Sequence, residues 1–317
     1  MSQRNAIVKL IRDDRTVQAL LIALVLVFGM GMLRPEKQQG IAMSHFWSLK
    51  IQAQNCADMV LAGDSRTFCS LSPAAMNQVC PDYRIFNYAF GGNAYASLYC
   101  RRLESVLDEN STCPTIVLGI TPNSLRTEAT QRNGFLEYLG HSSQEKWIRY
   151  HFGHVHDFFE PMSFRDAWEG LFPQSRTFHE YREYHADGWV GANIEPPSVK
   201  RQLWRYRRRF EKSRVSCDLA DALLSQVGQW VEKEIRVYAF RPPASGEMFE
   251  LEDAISGFDE ADFVKRFEAA GGQWLSAPRT DYASYDGSHL RQDEAVRFSR
   301  EFASMLQSLI TKAAQRN

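Results

Sequence analysis

The run Thr115-Ile116-Val117-Leu118-Gly119-Ile120 is continuously apolar. A strand shows alternate residues to opposite faces, so a run of this kind needs cover on both sides. That points to a central position in a parallel sheet. The surrounding chain supports it, because strand-like runs at 58–62, 84–89, 115–120, 235–240 and 273–276 are separated by segments of helical spacing. These segments are 71–79, 94–107, 219–234 and 261–270, and an amphipathic stretch at 292–313 closes the chain. Strands alternating with helices imply an α/β fold, a parallel sheet flanked by helices and joined by crossovers. Residues 126–216 break the pattern. They are rich in aromatics, histidines and arginines, and they are too long for a simple loop. A lid-like insertion or a set of peripheral helices is expected there.

A second constraint lies near the N-terminus. No charged residue occurs between Arg15 and Arg34, and residues 16–33 are apolar apart from Thr16 and Gln18. Eighteen helical residues reach about 27 Å, enough to cross a hydrocarbon core. No A-x-A-like cleavage site follows, so an uncleaved anchor over 16–34 is expected. Arg4, Lys9, Arg12 and Arg15 precede the span, against Arg34 and Lys37 after it. This bias places residues 1–15 in the cytoplasm and the remainder outside, on a single-pass helix in the cytoplasmic membrane. Residues 35–55 read as a linker and 56–317 as one extracytoplasmic domain. Disulfides are permissible in that compartment. Cys56 and Cys113 each precede a strand, at the same end of the sheet if those strands are neighbours, and they form the expected bridge. The net charge of −1 gives no reason to expect nucleic acid as a partner.

Chemistry gathers at the strand ends. Val60-Leu61-Ala62-Gly63 runs into Asp64-Ser65-Arg66, which puts a serine where a strand ends and a helix begins. That is the crevice where open α/β sheets bind ligands, and a helix N-terminus favours negative charge. Ser65 is either a helix cap, a common role for serine, or a nucleophile. Three further edge motifs favour the nucleophile: Gly91-Gly92-Asn93, Thr121-Pro122-Asn123-Ser124 and Asp286-Gly287-Ser288-His289. Acyl transfer needs a nucleophile, a base, a group that orients the base, and donors for an oxyanion. Ser65, His289 and Asp286 supply the first three. The N–H groups of Ser65 and Gly92 and the side-chain amide of Asn123 supply the donors, with Gly91 as the alternative to Gly92. The full G-x-G-x-x-G fingerprint is absent, and no cofactor is called for.

This order of Ser, Gly, Asn and His blocks resembles the SGNH superfamily, the GDSL-like esterases and acyltransferases. The likeness spans about 58–310 and leaves the insertion outside. It implies an SGNH-like (flavodoxin-like) sheet, Ser65 as nucleophile, Asp286 and His289 as its partners, and Gly92 and Asn123 as oxyanion donors. The first block reads Gly-Asp-Ser-Arg rather than Gly-Asp-Ser-Leu, and the third Thr-Pro-Asn-Ser rather than Gly-x-Asn-Asp. Membrane-anchored members similar to this chain acylate surface polymers beside a multi-pass membrane acyltransferase. The resemblance therefore implies an acyl-ester substrate, a cell-surface glycan and such an acyltransferase as partners. A plain extracytoplasmic esterase and a non-catalytic glycan-binding subunit are the alternatives.

Other residues invite roles that the spacing alone does not assign. Arg66 lies beside Ser65 and Arg241 at a strand end, where either can hold an anionic substrate group or pair with an acidic neighbour. His151, His154 and His156 with Asp157 share no single helix or strand face, so no metal site is expected. Arg201, Arg205, Arg207, Arg208 and Arg209 alternate with Trp204, Tyr206 and Phe210, which suits a solvated basic helix face or a grip on an anionic polymer. Tyr181, Tyr184, His185 and Trp189 suit sugar stacking or an aromatic core.

Overall fold

The computed structural model describes residues 14–32, 38–172 and 179–314. Arg4, Lys9, Arg12, Arg34 and Lys37, which set the expected orientation of the span, lie outside the described residues. So does Pro173 in the insertion.

Five parallel strands form the main sheet: β2 (Met59–Ala62), β3 (Ile85–Asn87), β4 (Thr115–Gly119), β7 (Arg236–Phe240) and β8 (Gln273–Trp274). Their spatial order is β3-β2-β4-β7-β8. Counted along the sheet's own strands this is the doubly wound order 2-1-3-4-5, whose ligand crevice opens between the first and third strands. Here those are β2 and β4.

The alternation along each strand divides the core. Val60, Ala62, Ile116, Leu118, Val237 and Ala239 face the helices Ser97–Val106 and Cys217–Glu232, through side chains such as Tyr99, Leu103 and Trp230. Met59, Leu61, Val117, Tyr238 and Phe240 face the C-terminal helix Gln292–Ala314, through Phe298, Phe302 and Leu306. Every residue of β4 is buried, as its composition requires.

A smaller sheet is built from β1 (Gln38–Gly40), β5 (His179–Tyr184) and β6 (Val190–Glu195). β5 and β6 form an antiparallel hairpin, and β1 runs parallel to β5. The insertion therefore contains this hairpin together with helices such as Gly134–Leu139, Ser143–Phe159 and Phe164–Leu171. The hairpin is tied down. Asn87 N–H donates to the Asp187 carbonyl (2.9 Å), and the Trp189 indole donates to the Cys69 carbonyl (3.0 Å). Tyr184 and Trp189 are buried, and Tyr184 packs on Phe46, so these aromatics belong to the core and not to a sugar platform.

Residues 43–52, expected within a linker, instead form the helix Met43–Gln52 with Phe46 and Ile51 in the main core. Lys50 on this helix is fully buried. It donates to the carbonyls of Ala89 (2.6 Å) and Gly188 (2.9 Å), while Phe46 and Phe90 surround its ammonium. Burial pushes its pKa well below the usual lysine value, against the opposing pull of Asp187. The helix thus joins the end of β3 to the hairpin.

The expected Cys56–Cys113 bridge does not form, and all six cysteines are free. The strands are neighbours as anticipated, but the chain just before β2 turns to other partners: the N–H groups of Cys56 and Ala57 donate to the Val106 carbonyl (3.0 and 3.3 Å), and Ala57 pairs with Leu107. Cys113 lies in the bend before β4, where its N–H donates to Ser111 Oγ (3.4 Å), so the two cysteines do not face each other across paired strands.

Among the described residues one helix, Arg15–Met32, is long and apolar enough to cross a membrane, and nearly all of it is exposed. Its end packs on the insertion, where the rings of Phe28 and Phe158 lie 5.3 Å apart.

If residues 43–52 belong to the folding unit, Phe46→Ala should lower stability by about 3–5 kcal/mol in urea unfolding. A linker residue would leave the midpoint unchanged.

Candidate active site

The turn after β2 is shaped by Gly63 and Asp64. A Cβ at Gly63 would overlap the Thr67 side chain. Asp64 is the N-cap of the helix Ser65–Ser70: its Oδ1 accepts the Arg66 N–H (3.0 Å), and its Oδ2 accepts the Thr121 hydroxyl (2.6 Å). The capping role open to Ser65 is therefore taken by its neighbour, and the Ser65 hydroxyl is left for other partners. The helix has only six residues, so local N–H groups rather than a long macrodipole face any developing charge.

His289 reaches that hydroxyl. Its Nε2 lies 2.8 Å from Ser65 Oγ, and its Nδ1 lies 2.8 Å from Asp286 Oδ2. Asp286 also accepts the N–H groups of Ser288 (2.9 Å) and His289 (2.8 Å) on Oδ1, which bends the loop so that imidazole and carboxylate meet. Gly287 at φ +83° permits this turn. Tyr285 lies nearly parallel to the imidazole, with centroids 5.7 Å apart. Burial pushes the Asp286 carboxyl up. The adjacent His289 and the two N–H donors outweigh this and hold it below the usual carboxylate value. A carboxylate at Nδ1 selects the tautomer with its proton there, leaving Nε2 to accept the serine proton.

Gly91, Gly92 and Asn123 line the same cavity as Ser65 and His289, a cleft of about 360 Å³. Arg126 donates to Asn123 Oδ1 (3.3 Å), an arrangement that leaves the amide Nδ2 to act as a donor. Gly92 has φ +63°, and a Cβ there would enter open space. One wall carries Trp47, Phe68 and Tyr138, while Gln202 and Arg209 bring polar groups. Trp47 stacks on Tyr138 with centroids 4.5 Å apart.

Arg66 and Arg241 do not line this cleft. Arg66 is fully buried, with Nη1 and Nη2 on the Glu252 carboxylate (3.2 and 2.5 Å) and Nε on Ser288 Oγ (3.1 Å). Burial opposes its charge, but the Glu252 carboxylate, with Tyr206 and Asp64, outweighs this and raises the guanidinium pKa. Arg241 is also buried, and its partners are Glu252, Asp253 and Glu260. Both are therefore structural ions, because each is spent on carboxylates inside the protein. Of the basic helix, now Val199–Lys212, Tyr206 and Phe210 are buried and Arg209 borders the cleft. His156 and Asp157 bond instead to Ser44, through its hydroxyl (3.0 Å) and N–H (3.2 Å).

Several contributors carried no local signal in the sequence. Tyr285, Arg126 and Trp47 acquire their places only when distant segments meet. Asp64 was legible, since aspartate before a helix is a favoured cap. No protein-family model, curated protein or solved structure matches the chain.

Replacing Arg66 by methionine leaves Glu252 buried with one arginine fewer. Arg66→Met should cost about 3–5 kcal/mol in denaturant unfolding, whereas an exposed substrate-binding arginine would cost almost nothing. Because the folded-state value of Asp286 lies below its ordinary 3.8, the carboxylate favours the native state at neutral pH and loses that advantage as pH falls through the lowered value. The stability lost in Asp286→Asn should be full above about pH 5 and shrink as the pH drops below 3.8. Equal loss at all pH values would contradict the assignment.

Proposed function

We infer that this chain is a serine-dependent acyl-transfer enzyme of the SGNH kind. The observation that carries the reading is the continuous hydrogen-bond chain from Ser65 through His289 to Asp286. His289 Nε2 takes the Ser65 proton as Oγ attacks the ester carbonyl. The oxyanion receives the Asn123 amide and the N–H groups of Gly92 and Ser65. Collapse of the tetrahedral species breaks the ester C–O bond, and His289 returns the proton to the departing alcohol. A second hydroxyl, from water or a glycan, then gives its proton to His289 and attacks the acyl-serine. Ser65 is released as the free hydroxyl. Asp286 holds the imidazole throughout, and no cofactor enters.

The cleft volume suits a small acyl group, with an aromatic wall for the acyl chain and polar groups toward the acceptor. The exposed apolar helix Arg15–Met32 supports anchoring in the cytoplasmic membrane. With the body outside, that tether keeps the cleft near a membrane-borne acyl donor and raises its effective concentration. O-acyl transfer to or from a cell-surface polysaccharide, beside a multi-pass acyltransferase, is the function these features favour.

A fluorophosphonate probe should label the full chain on Ser65, and Ser65→Ala or His289→Ala should abolish labelling. With an acyl ester as donor, Ser65→Ala should reduce turnover about 10⁶-fold and Asn123→Ala about 10²–10³-fold. An unlabelled wild type whose behaviour Ser65→Ala leaves unchanged would indicate a glycan-binding subunit instead. Product analysis with glycan acceptors separates transfer from hydrolysis.

A further inference from the structure

The helix Ser143–Phe159, kinked at Phe152, and the helix Phe164–Leu171 expose apolar side chains that no described residue covers. Ile148, Phe152, Val155 and Phe159 share one groove of about 400 Å³. Phe164, Trp168 and Leu171 recur at helical spacing on the second helix, exposed by 98%, 59% and 53%. The charges of the longer helix are engaged by partners within the protein. Glu145 pairs with Arg149 (3.1 Å), Lys146 donates to the Leu139 carbonyl (2.6 Å), and Asp157 accepts the Ser44 N–H. Among residues 147–159 the exposed side chains are aromatic, aliphatic or histidine, with no carboxylate, lysine or arginine. An apolar face this broad on a folded protein has an occupant.

The span identifies the occupant. Phe158 lies against Phe28, and a Cβ added at Gly31 would meet the Phe158 ring. The exposed face is therefore continuous with the last turns of Arg15–Met32, where a crossing helix leaves the hydrocarbon. We propose that these two helices are a second membrane contact, lying in the boundary between headgroups and acyl chains beside the span. The proposal rests on the reading of that span as an anchor. Aromatic residues prefer this boundary, and helices with one apolar face sink about 5–10 Å into it.

The contact fixes the height of the cleft above the lipid. Helix Met43–Gln52 lies against Ser143–Phe159 through Ser44 and His45, with His45 and Tyr150 ring centroids 4.8 Å apart, and its Trp47 lines the cleft. One helix layer, about 8–10 Å, separates the membrane-lying helix from the cleft wall. A lipid-borne acyl ester in that leaflet is the donor best placed to reach Ser65.

The test uses the full-length chain in vesicles of phosphatidylcholine and phosphatidylglycerol. The photocrosslinking residue p-benzoylphenylalanine replaces Phe159, Phe164 or Trp168, with Leu24 in the span and Trp204 on the basic helix as references. Lipid adducts at the three patch positions approaching the yield at Leu24, and none at Trp204, are expected. Adducts at Leu24 without adducts at the patch overturn the second contact while leaving the anchor intact. Crosslinks from the patch to a second copy of the chain overturn it in favour of a dimer. Absence of lipid adducts at Leu24 as well overturns the anchor and the contact together.

Discussion

Arg66 sits where three parts of the chain must be held in one geometry. Its backbone N–H is capped by Asp64, its Nε holds Ser288, and its remaining nitrogens grip Glu252 on the helix Gly246–Ile255. Ser288 in turn donates to Tyr206 (3.0 Å), whose ring also packs under the guanidinium. Residues 65 and 289 each neighbour one of these anchors. A single buried cation thus ties the serine turn to the histidine loop. Burying such a charge is costly unless its partners are fixed, so the arrangement tolerates little freedom. The charge that looks from the sequence like a hand for substrate is a rivet for the site.

The other half of the cleft is held by contacts between separate elements. Asp64 reaches across to Thr121, linking the ends of β2 and β4, and Arg126 turns Asn123 by occupying its Oδ1. Lys50 secures the carbonyl of Ala89 just before Gly91. These contacts draw on β2, β3, β4 and the insertion, so the mouth is prearranged rather than assembled on binding. Preorganised donors stabilise developing charge without paying for reorganisation during the reaction. The hairpin belongs to the same scheme: it is pinned to β3 and Cys69 and builds a fixed wall instead of a loose lid.

The segment after the span has a double role. Helix Met43–Gln52 contributes Phe46 and Ile51 to the core, carries Lys50, and presents Trp47 to the cleft. It also packs on Ser143–Phe159, which touches the end of Arg15–Met32. The end of Arg15–Met32 and the cleft are therefore linked through packed helices.

By itself the sequence determined the alternation of strands and helices, the central place of 115–120, the apolar span, and the four edge motifs. Each of these is a local pattern of period, composition or turn chemistry, readable without knowing what lies nearby. Only the tertiary structure decided what meets across the chain. It paired Arg66 and Arg241 with carboxylates, it drew residues 43–52 into the core, and it bound Cys56 to Val106 and left it unpaired with Cys113. It also brought the His289 imidazole to the Ser65 hydroxyl, 224 residues away in sequence. The physical reason is the same in every case: whether a charge, a thiol or a short apolar run is spent inside or left outside depends on non-local neighbours, and no local period encodes them.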